Sequence, residues 1–205
     1  MKKLYCIIGR TGSGKDTAIS YLKETFHLRP VVSYATRPKR ENEVDGREHY
    51  FISAERMKEI LANEDVVAYT KIEDKTTGIK GYEYCATKSE LLKSDIYSID
   101  PEGLNWLKSK LPEDEIQIVT IYVRCDYDIR KRRILLSGRG KSALQKFEDR
   151  CLNEEVQFTQ FENEMPWLHT VYNIGTYAEL YANIAAIITK HEQLNIVRCS
   201  YSKDY

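Results

Sequence analysis

Residues 9 to 17 read Gly9-Arg10-Thr11-Gly12-Ser13-Gly14-Lys15-Asp16-Thr17, and they directly follow the apolar run Leu4 to Ile8. A glycine, four residues and then Gly-Lys is the spacing of a P-loop, in which backbone N–H groups surround polyphosphate oxygens and a lysine ammonium reaches the terminal phosphates. The alternative is a flexible turn that happens to contain Lys15. A β-rich run before the loop and apolar residues at helical spacing after it favour the P-loop. We therefore predict that residues 9–17 bind the phosphates of a nucleotide.

One residue of the loop departs from the usual pattern. Asp16 stands where a serine or threonine that ligates magnesium is usual. A carboxylate is also a hard oxygen donor, and it suits the positive end of a helix. We therefore expect Mg²⁺ to accompany ATP, with Asp16 as a metal ligand either directly or through water.

The composition limits the classes of protein to be considered. A chain of 205 residues fits one domain, and its 31 basic and 31 acidic residues leave no net charge that would attract nucleic acid or a membrane surface. No apolar stretch approaches the roughly 20 residues that span a bilayer. The five cysteines are scattered and lack metal-ligand spacing. We expect a cytoplasmic protein with free thiols, whose partners are small-molecule nucleotides and whose oligomeric state the sequence leaves open.

Strands and helices alternate along most of the chain. Apolar runs predict strands at 4–8, 96–99, 116–123 and 170–172, and three- and four-residue steps predict helices at 16–26, 102–110, 127–136, about 142–164 and 177–192. This alternation is typical of an α/β fold, with a parallel sheet wrapped by helices and ligands at the carboxyl ends of its strands. Residues 33–93 break the rhythm with short β-like pieces and one short helix, which predicts a small lobe inserted into the main sheet.

A second cluster of polar residues lies in this inserted region. It contains Ser33, Thr36-Arg37-Pro38-Lys39-Arg40, Glu43, Asp45-Gly46 and Tyr50-Phe51. Arg37 and Arg40 flank a proline and can present two planar guanidinium forks to one phosphate monoester, a bidentate task that lysine performs less well. Ser33 and Tyr50 are candidates to donate hydroxyl hydrogen bonds to the same phosphate. The alternative is a solvated charged loop. The P-loop in the same chain favours an anion site, because transfer of a phosphoryl group from a nucleotide needs a second anion site for its acceptor.

Together with the glycine loop, this cluster closely resembles the guanylate kinase family. The shared pattern is Ser, Thr-Arg, a second arginine, Glu, Asp-Gly and Tyr followed by Phe, and the resemblance extends from Lys3 to about Leu180. It implies a single domain over residues 1–205, with a P-loop core of 1–32, 94–126 and 165–195, an acceptor-binding lobe of about 33–93 and a helical lid of about 127–164. It also implies transfer of a phosphoryl group from ATP, with Mg²⁺, to a nucleoside monophosphate, most simply GMP to give GDP.

The resemblance assigns further acceptor-binding residues. The segment Gly81-Tyr82-Glu83-Tyr84-Cys85-Ala86-Thr87 is similar to the family's Gly, Tyr-Tyr-Gly, Ser/Thr segment. By position, Tyr84 would contact the acceptor phosphate and the Thr87 hydroxyl would read the base, beside Ser33, Arg37, Arg40, Glu43 and Tyr50. The alternative is an edge strand with aromatic packing, since Cys85 and Ala86 depart from the family's glycine.

Two further departures bear on specificity. The family's guanine-reading glutamate falls at Ala68, whose side chain accepts no hydrogen bond from a base. Another group must then read the base, and Glu73 and Glu83 are candidates. Of two aspartates that usually end the next core strand, Ser98 replaces the first and Asp100 keeps the second. Asp100 is then a candidate for binding Mg²⁺ or for orienting an arginine, with a helix N-cap as the alternative.

The lid arginines complete the predicted site. Arg139 and Arg150 match the family's spacing, and Arg133 is the choice for the third, with Arg130 and Arg132 as rivals. With Lys15 they would neutralise charge on the transferred phosphoryl group. The alternative is an exposed basic helix face that binds nothing. Asn173 stands where the family has an asparagine near the ATP base.

Two other functions remain possible on this pattern. Related P-loop kinases act on other phosphorylated acceptors, and those that use ribose 1,5-bisphosphate also carry Gly-Lys-Asp-Ser in the loop. Guanylate-kinase-like domains in scaffold proteins have lost activity and bind peptides. Lys15 and both clamp arginines argue against such a binding module.

Overall fold

The computed structural model describes residues 2–72, 81–112, 115–136, 141–164 and 169–201, with the side chains of 141–142 and 194–201 excepted. The strands and helices of the described residues are named here in chain order. The strands are β1 (Lys2–Ile8), β2 (Ser33–Ala35), β3 (His49–Phe51), β4 (Val66–Ile72), β5 (Tyr82–Thr87), β6 (Ile96–Ser98), β7 (Ile116–Arg124) and β8 (His169–Tyr172). The helices are α1 (Lys15–Phe26), α2 (Ala54–Asn63), α3 (Lys88–Leu92), α4 (Pro101–Lys110), α5 (Tyr127–Leu136), α6 (Lys141–Glu164) and α7 (Tyr177–Tyr201).

The main sheet is parallel throughout and has the order β6-β1-β7-β8. Its central strand β1 is apolar on both faces, as expected for a strand covered by helices on both sides. On one face, Tyr5 and Ile7 pack against Leu22 of α1 and against Leu180 and Ile184 of α7. The predicted α/β fold with a parallel sheet wrapped by helices is confirmed.

The second sheet has the order β3-β2-β5-β4. Strands β2 and β3 are parallel, whereas β5 is antiparallel to both β2 and β4. It comprises the short β-like pieces that interrupt the main rhythm, together with β2, which the sequence did not single out. Helix α2 begins at the Ser53 N-cap, whose side chain accepts a hydrogen bond from the Arg56 N–H group.

One hydrophobic cluster joins the two sheets. Leu4, Cys6 and Ile8 on the other face of β1 belong to the same cluster as Ala68 of β4 and Ala86 of β5. Helix α4 lies at this junction, where the Thr70 hydroxyl donates to Asp100 Oδ1 at 3.1 Å. The second sheet is therefore attached next to the carboxyl ends of the main strands, where ligands of parallel sheets bind.

Two details differ from or limit the sequence predictions. Helix α7 continues to Tyr201, beyond the predicted end near Glu192, and no proline or glycine lies between these residues to end it. Within the described ranges, no helix is long and apolar enough to cross a membrane. Cys6, Cys85, Cys125 and Cys151 are free thiols.

Candidate active site

The glycine loop follows β1 and leads into α1. Gly14 is the N-cap of α1 and has φ 99°, a left-handed conformation that L side chains rarely adopt, and a Cβ there would clash with the Asn173 amide. A Cβ on Gly9 would lie 2.6 Å from the Val123 carbonyl oxygen. The loop is thus seated against the ends of β7 and β8, with backbone N–H groups at the start of a helix available to an anion.

Asn173 supports the backbone of the glycine loop through a buried hydrogen bond. Its side chain is 1% exposed, and Nδ2 donates to the Ser13 carbonyl oxygen at 2.7 Å. Its backbone N–H donates to Arg124 O at 2.8 Å. The Arg133 guanidinium donates to the Asn173 carbonyl at 3.1 Å and to Oδ1 at 3.2 Å. Asn173 therefore supports the loop's backbone, and Arg133 in turn holds Asn173.

The Lys15 ammonium lies against the first residues of the loop. It donates to the Gly9 carbonyl and, at 3.4 Å, to the Arg10 carbonyl. Burial lowers the pKa of Lys15, and the positive charge of Arg150 lowers it further, whereas Glu154, Asp16 and Asp100 oppose the shift. A buried ammonium hydrogen-bonded only to carbonyls has an unmet preference for negative charge, which a phosphate would satisfy.

Helices α5 and α6 also hold the loop. Glu154 of α6 accepts hydrogen bonds from the Thr11 backbone N–H at 2.8 Å and from the Thr11 hydroxyl. Arg130 of α5 is 4% exposed and donates to the Thr11 carbonyl at 3.0 Å, with its guanidinium near the rings of Tyr127 and Phe147. The sequence did not predict this role of Glu154, because its motifs pointed to the arginines of this helix and to none of its acidic residues.

The predicted lid arginines have different positions. Arg133 binds Asn173, as described above, and Arg130 is buried against the loop, whereas Arg132 is exposed. Arg150 is exposed on α6, and its charge contributes to the lowered pKa of both Lys15 and Arg40. Arg139 lies outside the described residues. Of these arginines, Arg150 has electrostatic reach to both clusters, and the roles of all of them remain predictions.

The acceptor-side arginines are organised by Glu43. The Arg37 guanidinium forms a bidentate pair with this carboxylate, with both N···O distances 2.6 Å, and lies 5.1 Å from the centroid of the Phe51 ring. The Arg40 backbone N–H donates to the same carboxylate at 2.8 Å, and its guanidinium lies 3.7 Å away. Hydrogen bonding from Arg37 is the main cause that lowers the pKa of Glu43 to about 2. The structure thus brings the two arginines together.

The prediction for Tyr50 is not met by the geometry. Ser33 pairs with His49 in the β2–β3 register, and its hydroxyl lies 2.9 Å from His49 Nδ1. Side chains of a strand alternate between faces, so Tyr50 points away from His49 and Phe51 and its ring packs on Tyr34, 5.1 Å between centroids. The residue that joins Ser33 on the arginine side is therefore His49.

The same alternation separates the β5 candidates. Tyr84 lies on the same side as the arginines, and its ring centroid is 5.8 Å from that of His49. Its hydroxyl is also close enough to Arg37 to help raise the pKa of that guanidinium. Thr87 falls on the opposite face, is 2% exposed, and its hydroxyl lies 3.0 Å from Ser89 Oγ at the start of α3. The predicted base-reading hydroxyl of Thr87 is therefore not on the arginine side.

Of the two candidates to replace the missing base-reading carboxylate, only Glu83 belongs to the described residues. Ala68 is 1% exposed within the hydrophobic cluster that joins the sheets. Glu83 precedes Tyr84 and so lies on the opposite face, where it accepts a hydrogen bond from the Tyr69 hydroxyl at 2.6 Å. Glu73 lies outside the described residues.

Asp100 is the N-cap of α4. Its Oδ1 accepts hydrogen bonds from the Gly103 N–H at 2.9 Å and the Thr70 hydroxyl, and burial raises the pKa of the carboxyl. The alternative that the sequence left open for Asp100 is therefore present, and a metal role stays a prediction. Asp16 is exposed in the first turn of α1. Within the described part of the chain, no group of three or more His, Cys, Asp or Glu side chains could hold a metal ion by itself.

Comparisons with known proteins point to one family. The family model described as "Guanylate kinase" matches residues 1–189. The chain is 27% identical over 165 residues to a guanylate kinase of Hydrogenovibrio crunogenus, covering 78% of this chain and 77% of that protein. It is 32% identical over 143 residues to a guanylate kinase of Geobacter metallireducens, covering 68% of this chain and 66% of that protein.

The fold has a solved counterpart. The crystal structure of guanylate kinase from Anaplasma phagocytophilum matches with a TM-score of 0.63 at 15% identity, covering 93% of this chain and 86% of that one. An identity this low supports the fold alone. The match of the family model over nearly the whole chain settles the relationship, and the chain belongs to the guanylate kinase family.

Proposed function

We propose that this protein is a nucleoside monophosphate kinase that transfers the γ-phosphoryl group of ATP to GMP, giving ADP and GDP. The observation that carries the proposal is the presence of two cationic clusters within electrostatic reach of one arginine, Arg150. One is the glycine loop with Lys15, and the other is the pair Arg37 and Arg40. The positive charge of Arg150 lowers the pKa of both Lys15 and Arg40, which supports two anion sites near each other.

The donor half positions ATP and neutralises its charge. The N–H groups at the start of α1 and the Lys15 ammonium would hold the β- and γ-phosphates, while Asn173 keeps the loop in shape through Ser13. Glu154 occupies the Thr11 N–H group in this structure. An incoming phosphate close to Thr11 would repel this carboxylate, so donor binding requires Glu154 to release the loop or the phosphates to lie beyond it.

The acceptor half positions the attacking phosphate. Arg37 and Arg40 keep their guanidinium groups oriented through Glu43, and Tyr84 lies beside them. The acceptor oxygen is already an anion at neutral pH, so no protein nucleophile is needed. Catalysis would then consist of holding the two phosphates in line and stabilising the charge on the transferred group, with Arg150 as the arginine that reaches both sides.

Magnesium fits this site as a partner of ATP. Mg²⁺ is commonly held by one or two carboxylates together with substrate phosphates and water, so the lack of a cluster of three ligands among the described residues agrees with such a site. Asp16, next to Lys15, and Asp100, within electrostatic reach of Lys15, are the carboxylates that would hold it. When bound, the ion would supply positive charge that offsets the negative charge of the phosphates.

A second candidate acceptor is favoured by one observation. Ala68 lies in the hydrophobic cluster, and Glu83 points to the face opposite Tyr84, so neither offers a carboxylate to guanine. A phosphorylated acceptor without guanine, such as another nucleoside monophosphate or ribose 1,5-bisphosphate, would need the same two anion sites and no such carboxylate.

A coupled assay for ADP formation distinguishes these functions. It supplies ATP and Mg²⁺ with GMP, dGMP, AMP, UMP, CMP or ribose 1,5-bisphosphate, each over a range of concentrations. We expect the highest kcat/KM with GMP. Preference for another acceptor would keep the phosphoryl-transfer chemistry and overturn the substrate. No ADP formed with any acceptor would remove the enzymatic function.

A further inference from the structure

His49 stands among the charged groups of the acceptor cluster. Its imidazole lies 2.9 Å from the Ser33 hydroxyl, and its ring makes edge contacts with Phe51 at 5.7 Å and Tyr84 at 5.8 Å between centroids. Phe51 is also the ring against which the Arg37 guanidinium packs. The ring of His49 is therefore held on the same face of the second sheet as the guanidinium of Arg37.

Charges on several elements act on this imidazole. Burial is the main cause that lowers the pKa of His49, and the positive charges of Arg37 and Arg40 lower it further. The Glu43 carboxylate and a hydrogen bond with Ser33 oppose the shift. At neutral pH the isolated protein therefore holds His49 as a neutral imidazole within the field of two guanidinium groups.

The remaining titratable groups around His49 are engaged elsewhere. Tyr84 of β5 is a phenol whose ring makes an edge contact with the His49 ring. Asp45, in the turn before β3, accepts a hydrogen bond from the Phe51 N–H at 2.7 Å. Of the carboxylates, Glu43 contributes to the electrostatics of His49, and it is already shared by both arginines.

Binding of a dianionic phosphate would make the net charge around His49 negative, and this favours protonation of the imidazole. Arg37, Arg40 and Glu43 together carry one net positive charge when His49 is neutral. A dianionic phosphate monoester would turn this sum to one net negative charge, and protonation of His49 would return it to zero. A nearby anion favours the charged form of an imidazole.

We propose that His49 contacts the phosphate of the acceptor and takes up a proton from solvent when that phosphate binds as a dianion. The inference rests on the proposed function of Arg37 and Arg40 as the acceptor clamp. No bond to the substrate forms or breaks in this step, since only a proton moves from water or buffer to an imidazole nitrogen.

The Ser33–His49 pair gives this proton uptake a second effect. In the Nε2–H tautomer of the neutral ring, Nδ1 accepts the Ser33 hydroxyl hydrogen, and Ser33 then has no hydrogen to offer a phosphate. In the protonated ring, Nδ1 donates to Ser33 Oγ, and the Ser33 hydroxyl hydrogen is free to turn toward the phosphate. One proton therefore adds a charge at His49 and a donor at Ser33, so acceptor binding weakens as pH rises.

Proton NMR of the imidazole Cε1–H groups tests the proposal on the wild-type protein. His49→Gln identifies the His49 signal among the four histidines. We expect the midpoint of the His49 titration to move to higher pH on addition of GMP, while the midpoint of His27, exposed on the far side of α1, stays in place. An unchanged His49 midpoint in the presence of saturating GMP would overturn the inference.

Kinetics provide the second measurement. For His49→Gln we expect the acceptor KM at pH 6.5 to rise about tenfold, as for loss of one charge-assisted hydrogen bond, and its dependence on pH to flatten, with the ATP KM little changed. His169→Gln, at the opposite end of the main sheet, is the matched control and should keep the wild-type pH profile. A His49→Gln profile parallel to that of wild type would contradict the role.

The design separates this inference from the proposed function. If no acceptor supports ADP formation, the function fails, and the NMR titration is repeated with inorganic phosphate, which requires only the anion site. A shifted His49 midpoint with inorganic phosphate would then support the phosphate contact without kinase activity. No shift with either GMP or inorganic phosphate would sink the proposal for His49.

Discussion

Asn173 Nδ2 donates a hydrogen bond to the carbonyl oxygen of Ser13, and the distance is 2.7 Å. The contact joins the end of β8 to the middle of the glycine loop, across 160 positions of sequence. The Asn173 amide also fills the space that a side chain at Gly14 would need. The shape of the glycine loop thus depends on Asn173, which lies far in sequence from the P-loop motif.

Asn173→Ala should reduce both stability and donor binding. The substitution leaves the buried Ser13 carbonyl and part of the Arg133 guanidinium without their partner, which costs about 1–3 kcal/mol. We expect a fall in Tm of roughly 2–4 °C per kcal/mol and a higher ATP KM, with a smaller effect on the acceptor KM. The control is Ile174→Ala, since Ile174 is exposed and adjacent. An unchanged ATP KM would show that the loop keeps its shape without Asn173.

Lys15→Met should separate catalysis from folding. Burial already disfavours the Lys15 charge, and its ammonium contacts only carbonyls in this structure, so the folded protein loses little when the charge is removed. We expect kcat to fall by at least about a hundredfold while Tm changes by less than about 2 °C. Lys23→Met, on the exposed side of the same helix, should change neither. Equal losses of activity and Tm would assign Lys15 to the fold.

Substitution by lysine should have different effects on stability at Arg37 and at Arg40. The Arg37 side chain is 7% exposed and makes a bidentate pair with Glu43, whereas the Arg40 side chain is 58% exposed. Arg37→Lys keeps the charge and loses the fork, so we expect a fall in Tm of several degrees together with a higher acceptor KM. Arg40→Lys should raise the acceptor KM with Tm nearly unchanged. Measuring the ATP KM of both variants provides the control, since a loss confined to ATP affinity would contradict the clamp.

The sequence predicted the elements of the main sheet and the two anion-binding motifs because each depends on neighbours in the chain. Apolar runs marked β1 and β7, and glycine spacing marked the loop. The faces on which Tyr50 and Thr87 lie could not be predicted, for a different reason. A strand exposes alternate residues on each face, and the face that meets the arginines follows from the pairing of Ser33 with His49, which no local pattern specifies.

Contacts over long sequence distances were also beyond the motifs. Glu154 binds Thr11, which lies 143 positions earlier in the sequence. The sequence predictions for the helix of Glu154 concerned only its arginines. A carboxylate facing a helix N-terminus is a reasonable partner, but nothing in the sequence says which of the acidic residues on α6 reaches the loop. The attachment of the second sheet through Ala68 and Ala86 was likewise set by packing, since small residues there admit close approach of the two sheets.

His169 and His191 should make stability depend on pH. Their Nε2 atoms lie 2.8 Å apart, which requires one ring to accept, and burial lowers the pKa of both below the ordinary value of 6.5. The unfolded chain therefore binds more protons below about pH 6.5, so this contribution is full above that pH and is lost as pH falls through the lowered pKa values. We expect Tm to decrease from pH 7.5 to pH 5.

His191→Gln isolates the contribution of the pair. Glutamine retains a polar side chain and cannot be protonated in this range, so the decrease in Tm between pH 7.5 and pH 5 should be smaller than in wild type. His27→Asn is the control, because His27 is exposed and asparagine tolerates its left-handed backbone, with φ 54°. Equal slopes for His191→Gln and wild type would show that the two rings do not titrate as a pair.

Asp100→Asn distinguishes a metal-binding carboxylate from a helix cap. Asparagine caps helices as well as aspartate, and its side-chain oxygen can still accept from Gly103 N–H and from the Thr70 hydroxyl. Burial raises the pKa of the Asp100 carboxyl, so removing the charge should leave Tm equal or slightly higher. We expect the Mg²⁺ concentration for half-maximal activity to rise severalfold, because a neutral amide binds Mg²⁺ more weakly than a carboxylate. Asp100→Ala should add a loss of about 1 kcal/mol of stability from the missing cap. If Asp100→Asn keeps both Tm and the wild-type Mg²⁺ dependence, Asp100 serves only to begin α4, and the metal is held without it.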